Sequence, residues 1–517
     1  MRRVVLILLF ALCCVPIVAQ QHNQQQMEKL VQAYSYLSNN YVDDVDIGPL
    51  VEAAIDASLK ELDPHSSYIP RREMLRMQSS MKGEFSGLGI NLNIHNDTVV
   101  VTRIIAGAPA ERAGLQKNDR ILAVNDATLV GVERTKAVEM LRGRKGSIAS
   151  LNILRGDTPI TIEVKRDDVA TKAVSMAFLL DGNIAYIRVD SFLSRNTTNE
   201  FANTLKSLGD VNGVIIDLRG NAGGLIASAI QFSELFLKRG DVIVSTEGRK
   251  NNATYQASKN GAYSDIPVVV LIDEETASAS EIVAGALQDH DRAVIIGRRS
   301  FGKGLVQKVI KFKDESGMKI TIARYKTPSG RVIQRPYRNG EREEYVADRE
   351  RFHQIDTSNI PDSLIYTTLH SHRTVYGGGG ITPDIYIEAN TSTLSQFTQT
   401  VVENSIGQSI IIELFDRMTV EEFMALYPTL AAYSLRFNLD QTSINYMISL
   451  VDNINPMALN DGEGMDEAIA LVEAQIANDI YGNGAYYQTY GIKRDETLHR
   501  ALEIISTPEL MDAILCR

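Results

Sequence analysis

The stretch TASASEIVAGALQDHDRAVIIGRRSFGKGLVQ, residues 276–307, sets Ser278 and Ser280 just ahead of an apolar helical pattern. Farther along, it holds Lys303 between Gly302 and Gly304. A serine where a buried strand runs into a helix is exposed near the positive pole of that helix, which stabilises developing negative charge. Its hydroxyl is a poor nucleophile until a base takes the proton. A lysine can do so when burial in a dry pocket leaves part of its amine neutral. The flanking glycines let the backbone around Lys303 pack closely, and Gln307 is placed to hydrogen-bond and orient the amine. A second turn, Asp217-Leu218-Arg219-Gly220-Asn221-Ala222-Gly223-Gly224, ends the apolar run GVIIDL before another helical stretch. Consecutive glycines at a helix entrance present unobstructed N–H groups, the equipment of an oxyanion hole.

Two other chemistries fit less well. Gly297-x-x-x-x-Gly302-Lys303 nearly spells a phosphate-binding loop, but the next residue is Gly304 rather than Ser or Thr, and LVQKVIKF reads as a strand. A serine–histidine hydrolase would want a G-x-S-x-G elbow, which the chain lacks, and its eight histidines are scattered. His290 sits at a helix end, where a capping role is the simpler reading. Taken singly, each feature has a plain structural explanation: a hairpin lysine, a helix-capping serine, a tight strand–helix turn. The combination is what points to acyl chemistry.

Those residues need a scaffold, and 517 residues suffice for three or four domains. A formal charge of −11 without a long basic run argues against general nucleic-acid binding. Residues 1–20 read as a secretory signal: Arg2 and Arg3, an apolar stretch from Val4 to Val15, and a small-residue site near position 20. That stretch is short for a membrane span, so no transmembrane segment is expected once the signal is removed. Cys13 and Cys14 would leave with it, and Cys516 alone can form neither an intramolecular disulfide nor a cysteine-based metal site.

Residues 21–82 carry helical periodicity, stopped at Leu62-Asp63-Pro64-His65. Residues 83–168 switch to short strands, a helical turn at GAPAERAGL and the helix VERTKAVEMLRG. This order resembles a PDZ domain, notably at Gly87-Leu88-Gly89-Ile90 and at Ala113-Gly114-Leu115-x-x-x-Asp119-x-Ile121. Such a domain adds an extended peptide to a sheet edge. Glycine-turn N–H groups hold the terminal carboxylate, and Leu88, Ile90, Val138 and Leu141 are the candidate pocket for the last side chain. From 169 to 390 the runs NIAYIRV, GVIIDL, VVVLID and AVIIG alternate with helical stretches, the pattern of an α/β core. Residues 335–354 are strongly charged and are expected to form a solvated insertion. The helical stretch 391–517 carries no recognisable motif.

Taken together, LDPHSSY (62–68), the PDZ-like segment, DLRGNAGG, TASASEIVAGAL, SFGKGLVQ, TPSGRVIQ and GGGGITPDI span some 320 contiguous residues. In that order they resemble the carboxyl-terminal processing peptidases, tail-specific serine proteases of family S41. The resemblance implies a multidomain α/β protein: a crotonase-like protease core with an inserted PDZ domain, flanked by helical N- and C-terminal regions. It maps the nucleophile onto Ser278, the general base onto Lys303 and the assisting glutamine onto Gln307. The oxyanion donors map onto the backbone of Ala279 and a glycine of the Gly223–Gly224 pair. Arg142 is the position that resembles a gating arginine of the PDZ helix end in some members. No metal or other cofactor is implied. The implied partners are protein substrates held by their C-terminal peptides, with a homo-oligomer or an adaptor protein compatible. The implied location is export to the periplasm, with peripheral membrane association compatible.

Overall fold

The computed structural model describes residues 23–82, 84–95, 97–170, 172–347, 360–389, 394–460, 464–482 and 484–516. The signal-like stretch 1–20 and residues 348–354 of the charged insertion lie outside them. Among the described residues no helix is long and apolar enough to cross a membrane.

The four apolar runs pair as parallel strands in the order Ile184–Val189, Gly213–Asp217, Val268–Ile272 and Val294–Gly297. Val174–Leu180 adds antiparallel to one edge and Ile385–Tyr386 parallel to the other, giving six strands. Side chains alternate between two apolar layers. Val214, Ile216, Val268, Val270 and Ile295 share a core with helices Thr197–Ser207, Ile226–Glu234 and Ala279–Asp289. Ile215, Val269, Leu271, Val294 and Ile296 face the last two helices, Glu496–Ile505 and Pro508–Leu515. Cover on both faces explains why these strands carry no polar alternation.

A second sheet brings distant segments to the front of the core. Its strand Gly317–Lys326 pairs with Leu305–Lys311, Val242–Glu247 and the short N-terminal strand Ser67–Ile69. The helix Ile47–Lys60 ends just before Pro64, which cannot continue it. Asp63 then holds the turn, its carboxylate accepting the His65 and Ser66 N–H groups at 2.8 Å each and the Ser66 hydroxyl at 2.6 Å. That turn aims the chain into the second sheet and fixes His65 beside the core.

The β-rich domain is hung from the rest by its own ends. Glu84–Gly87 enters and Asp167–Ala170 leaves as an antiparallel pair. Between them the strands run Ile90–His95, Thr98–Ile104, Arg120–Val124, Ile148–Arg155 and Thr158–Lys165, so Ile90–His95 is an edge. The helix Arg134–Leu141 lies beside that edge, with Arg134 Nε donating to the Leu92 carbonyl at 3.3 Å. A helical module from Gln396 to Tyr481 has its own core around Phe397, Ile410, Met447 and Val472. It meets the β-rich domain at Lys117–Asp479 (3.1 Å) and at Ser409–His95 (3.2 Å).

Candidate active site

Ser278 stands at the N-cap of helix Ala279–Asp289 with φ 57° and ψ −112°. An L-residue at positive φ costs on the order of 1–3 kcal/mol and needs surroundings that enforce it. Here Glu281, three residues on in the capping-box spacing, is wholly buried and accepts the Ser278 N–H at 2.7 Å. The same carboxylate takes the Ser300 hydroxyl (2.6 Å) and the N–H groups of Gly302 (2.7 Å) and Lys303 (2.9 Å). Burial raises its pKa above the ordinary carboxylate value, and these four donors oppose that rise. On the other side, the Tyr325 hydroxyl lies 3.0 Å from the Ser278 carbonyl and 2.8 Å from that of Lys303. Ser278 and Lys303 are therefore bracketed at the backbone by the same two side chains.

Lys303 sits on the loop between Val294–Gly297 and Leu305–Lys311. Glycine is required beside it: Gly302 has φ 84°, and a Cβ there would come within 2.9 Å of the Gly380 nitrogen. The GGGG segment thus forms the back of the lysine loop. Burial lowers the Lys303 amine to about 8, the positive charge of Lys319 adds to this, and Glu281 and Asp63 oppose it. Gln307 was expected to meet that amine. Its Nε2 donates to the His65 carbonyl at 2.9 Å, which leaves its Oε1 as the acceptor end.

His65 is held neutral, its pKa lowered to about 3 by burial and next by the charge of Lys303. Its Nε2 lies 3.1 Å from the Tyr345 hydroxyl, and its ring meets Phe301 edge-on. Tyr345 and Arg335 correct the expectation of a solvated insertion. Both are buried, and the Arg335 guanidinium lies 4.0 Å from the centre of the Tyr345 ring. The charged segment therefore begins as a wall packed over His65, because the Arg335 guanidinium packs against the Tyr345 and Phe301 rings and donates to the Tyr345 carbonyl at 2.6 Å.

The glycine turn approaches Ser278 from the strand Gly213–Asp217. Gly223 has φ 92°, and a Cβ on it would fall 2.5 Å from the Ala277 oxygen, 2.8 Å from the Ala279 nitrogen and 2.9 Å from the Ser278 Cβ. Its N–H donates to Asn221 Oδ1 at 2.9 Å. Phe192 takes the Gly223 oxygen and the Leu225 N–H, so the Gly224 N–H points away from Phe192. Ala279, as the first helical residue, has an N–H with no intrahelical acceptor. Asn221 also secures the serine helix, its carbonyl accepting the Ala277 N–H and the Ser280 hydroxyl, both at 3.0 Å. Ser280 is thereby buried and occupied, whereas Ser278 is half-exposed.

Three family models match the chain: Peptidase family S41 over 183–338, PDZ domain over 76–154, and Activating protease CtpB N-terminal domain over 17–72. A carboxy-terminal-processing protease from Bartonella bacilliformis is 38% identical over 325 residues, covering 61% of this chain and 74% of that one. The chain belongs to peptidase family S41. A protein named Probable CtpA-like serine protease from Staphylococcus epidermidis is 30% identical over 351 residues, with coverage of 67% and 70%. Among solved structures, photosystem II D1 C-terminal processing protease aligns at 29% identity and TM-score 0.36, covering 60% of this chain and 85% of that one.

This S41 serine protease thus carries a PDZ domain, as the glycine turn and strand order suggested. Within it, Leu88 and Leu141 are buried core residues, while Ile90 and Val138 pack on that core half-exposed beside the edge strand. Gly87 and Gly89 are buried, with Gly89 at φ 79° and only 2.2 Å left between its would-be Cβ and Ala108. Arg142 caps the PDZ helix with its N–H on the Val138 carbonyl and is exposed. His290 occupies the helix C-cap as expected, but its side chain reaches the Val242 carbonyl at 2.8 Å rather than the helix's own carbonyls. Among the described residues no cluster of three metal-ligating side chains occurs. Glu281, Tyr325, His65 and Tyr345 escaped sequence reasoning. The first had a signal in the S-x-x-E spacing and the third lay inside LDPHSSY, but the tyrosines had none.

Proposed function

We propose that this chain is an exported serine endopeptidase that cleaves near the C-termini of protein substrates by a serine–lysine mechanism. Ser278 attacks the scissile carbonyl while Lys303 accepts its proton, and Lys303 later protonates the departing amine. Gln307, held at Nε2 by His65, presents Oε1 to orient the lysine amine. The N–H groups of Ala279 and Gly224 receive the oxyanion. Gly223, whose own N–H is engaged by Asn221, provides the side-chain-free surface against which Ser278 and Ala279 pack. Water then hydrolyses the acyl-enzyme, and no cofactor is required.

One observation carries this reading: Glu281 Oε2 accepts both the Ser278 and the Lys303 N–H, while burial brings the lysine amine to about 8. An amine in that range is in part free base at neutral pH and can act as general base. The protease core, residues 169–390, is read as crotonase-like, and residues 83–168 as the PDZ domain that recognises C-terminal tails or gates access. In that domain the edge strand Ile90–His95 takes the peptide, with Ile90 and Val138 lining the pocket over Leu88 and Leu141, Gly87 to Gly89 holding the carboxylate, and Arg142 gating. Residues 1–20 direct export to the periplasm.

The test is degradation of a denatured protein with an apolar C-terminus, followed by mass spectrometry of the products. Ser278→Ala and Lys303→Ala should abolish turnover, and Ser280→Ala should retain far more. Equal activity in all three and wild type would end the proposal. Because the PDZ segment enters and leaves as a strand pair, it can be excised between Gly87 and Asp167. Loss of C-terminal preference on excision supports the recognition role, whereas unchanged cleavage sites and rates refute it.

A further inference from the structure

The DLRG segment is tied to a part of the chain that no family motif reaches. Arg219 grips Asp217 with Nε (2.9 Å) and Nη2 (2.7 Å). Through Nη1 (3.0 Å) and Nη2 (2.7 Å) it also grips Asp495, in the C-terminal region. Both contacts are two-pronged. The Asp217 side chain is fully buried, and those of Arg219 and Asp495 are 16% and 11% exposed. A guanidinium shared by two carboxylates in so dry a place is geometrically strict, because removing either partner strands a buried charge. The Tyr487 hydroxyl also donates to Asp495, and that of Tyr186 to Asp217 at 2.6 Å, closing the network.

Arg219 begins the turn that carries Asn221, Gly223 and Gly224. Asn221 fixes the Gly223 N–H and, through its carbonyl, the start of the serine helix. The Arg219 side chain is thus one of the turn's anchors, beside Asp273, whose carboxylate accepts the Gly220 N–H at 2.9 Å. We propose that Asp495 is a positioning residue for catalysis: it sets the oxyanion turn through Arg219, so the C-terminal region completes the catalytic centre. The inference rests on the serine–lysine reading of this site. Asp495 has a second duty, since Oδ1 accepts the Leu498 N–H at 2.9 Å as the N-cap of helix Glu496–Ile505. The test must separate the two duties.

Asp495→Asn and Asp495→Ser both keep an N-cap acceptor but remove the charge that Arg219 grips. In the full chain, acting on the denatured protein substrate, both should lose about tenfold to a hundredfold in kcat with KM within about twofold. Asp495→Glu, which keeps the charge on a longer arm, should fall between these and wild type. Arg219→Gln combined with Asp495→Asn should lose no more than Arg219→Gln alone, since the two act as one unit. Unchanged kcat in a folded Asn or Ser variant overturns the proposal. If both neutral variants fail to fold, Asp495→Glu decides: a lowered kcat at constant KM upholds the positioning role, and full kcat makes Asp495 a stability residue only. Turnover that survives Ser278→Ala would sink the catalytic reading itself, whereas full kcat in Asp495→Asn sinks only this contact.

Discussion

Ser278 and Lys303, separated by a helix and a strand in sequence, donate their backbone N–H groups to the same oxygen, Glu281 Oε2, at 2.7 and 2.9 Å. Tyr325 spans their carbonyls from the other side. The proposed nucleophile and base are thus anchored at the backbone by the same two side chains. That arrangement suits a lysine, whose long stem would otherwise sample many rotamers.

Glu281→Gln tests this anchoring. The carboxamide keeps the size of the side chain, but its NH2 end faces donors where an oxygen had accepted them. Stability should fall by about 1–3 kcal/mol in urea unfolding, the cost of leaving buried donors unmatched. The kcat should fall about a hundredfold, because the backbones of both reacting residues shift. Wild-type kcat in a measurably destabilised variant would show that the anchoring serves folding alone.

The lysine sets the pH profile. With its amine at about 8, kcat/KM should rise with pH through about 8 and level off above it, because only the free base accepts the serine proton. Lys319 lies on Gly317–Lys326, opposite Ser67 and two residues from the partner of Gln307, so it shares a face with that glutamine. Its positive charge helps keep Lys303 neutral. Lys319→Met should therefore move the rising limb to higher pH. A limb that stays in place would remove Lys319 from the account.

His65 contributes to stability in mild acid. Its folded value of about 3 lies below the ordinary 6.5, so the unfolded chain takes up a proton in that interval and the folded chain does not. The stabilising contribution is present above 6.5 and is lost as pH falls from 6.5 towards 3. Urea midpoints measured from pH 7 to 4 should decline with a slope to which His65 contributes about one proton. In His65→Gln that contribution should vanish, and an undiminished slope would place the burden on other groups.

What the sequence revealed was local. The strand runs, the helix at Ala279–Asp289 and the glycine turns are written in contiguous patterns, and they place Ser278, Gly223 and Lys303 at the ends of predictable elements. The contacts that complete the site are long-range. His65 reaches Gln307 across 242 positions and Asp495 reaches Arg219 across 276. No periodicity encodes such pairings. Tyr345 was concealed by its setting, because a segment rich in arginine and glutamate reads as solvated even where one tyrosine and one arginine bury themselves.

The glycine turn offers the sharpest contrast between neighbouring positions. Gly220 and Gly223 both lie at positive φ, 73° and 92°, so alanine strains the backbone at either. What a methyl group would meet differs. At Gly220 the nearest atom is Arg188 Nη2 at 3.5 Å, the end of a flexible side chain at ordinary contact distance. At Gly223 it would strike the Ala277 carbonyl, the Ala279 nitrogen and the Ser278 Cβ, all under 3.0 Å, and two of those atoms are backbone at the start of the serine helix. Relief requires the helix N-terminus and the turn to separate, which opens the gap where the proposed oxyanion donors converge. Gly223→Ala should accordingly lose at least about a hundredfold in kcat, comparable to removing an oxyanion donor. Gly220→Ala should lose stability by about 1 kcal/mol and keep most of its turnover. Measuring kcat and the urea midpoint for both variants separates strain from clash: equal losses of kcat would mean that backbone strain alone matters, and that the close approach of Gly223 to Ser278 has no part in catalysis.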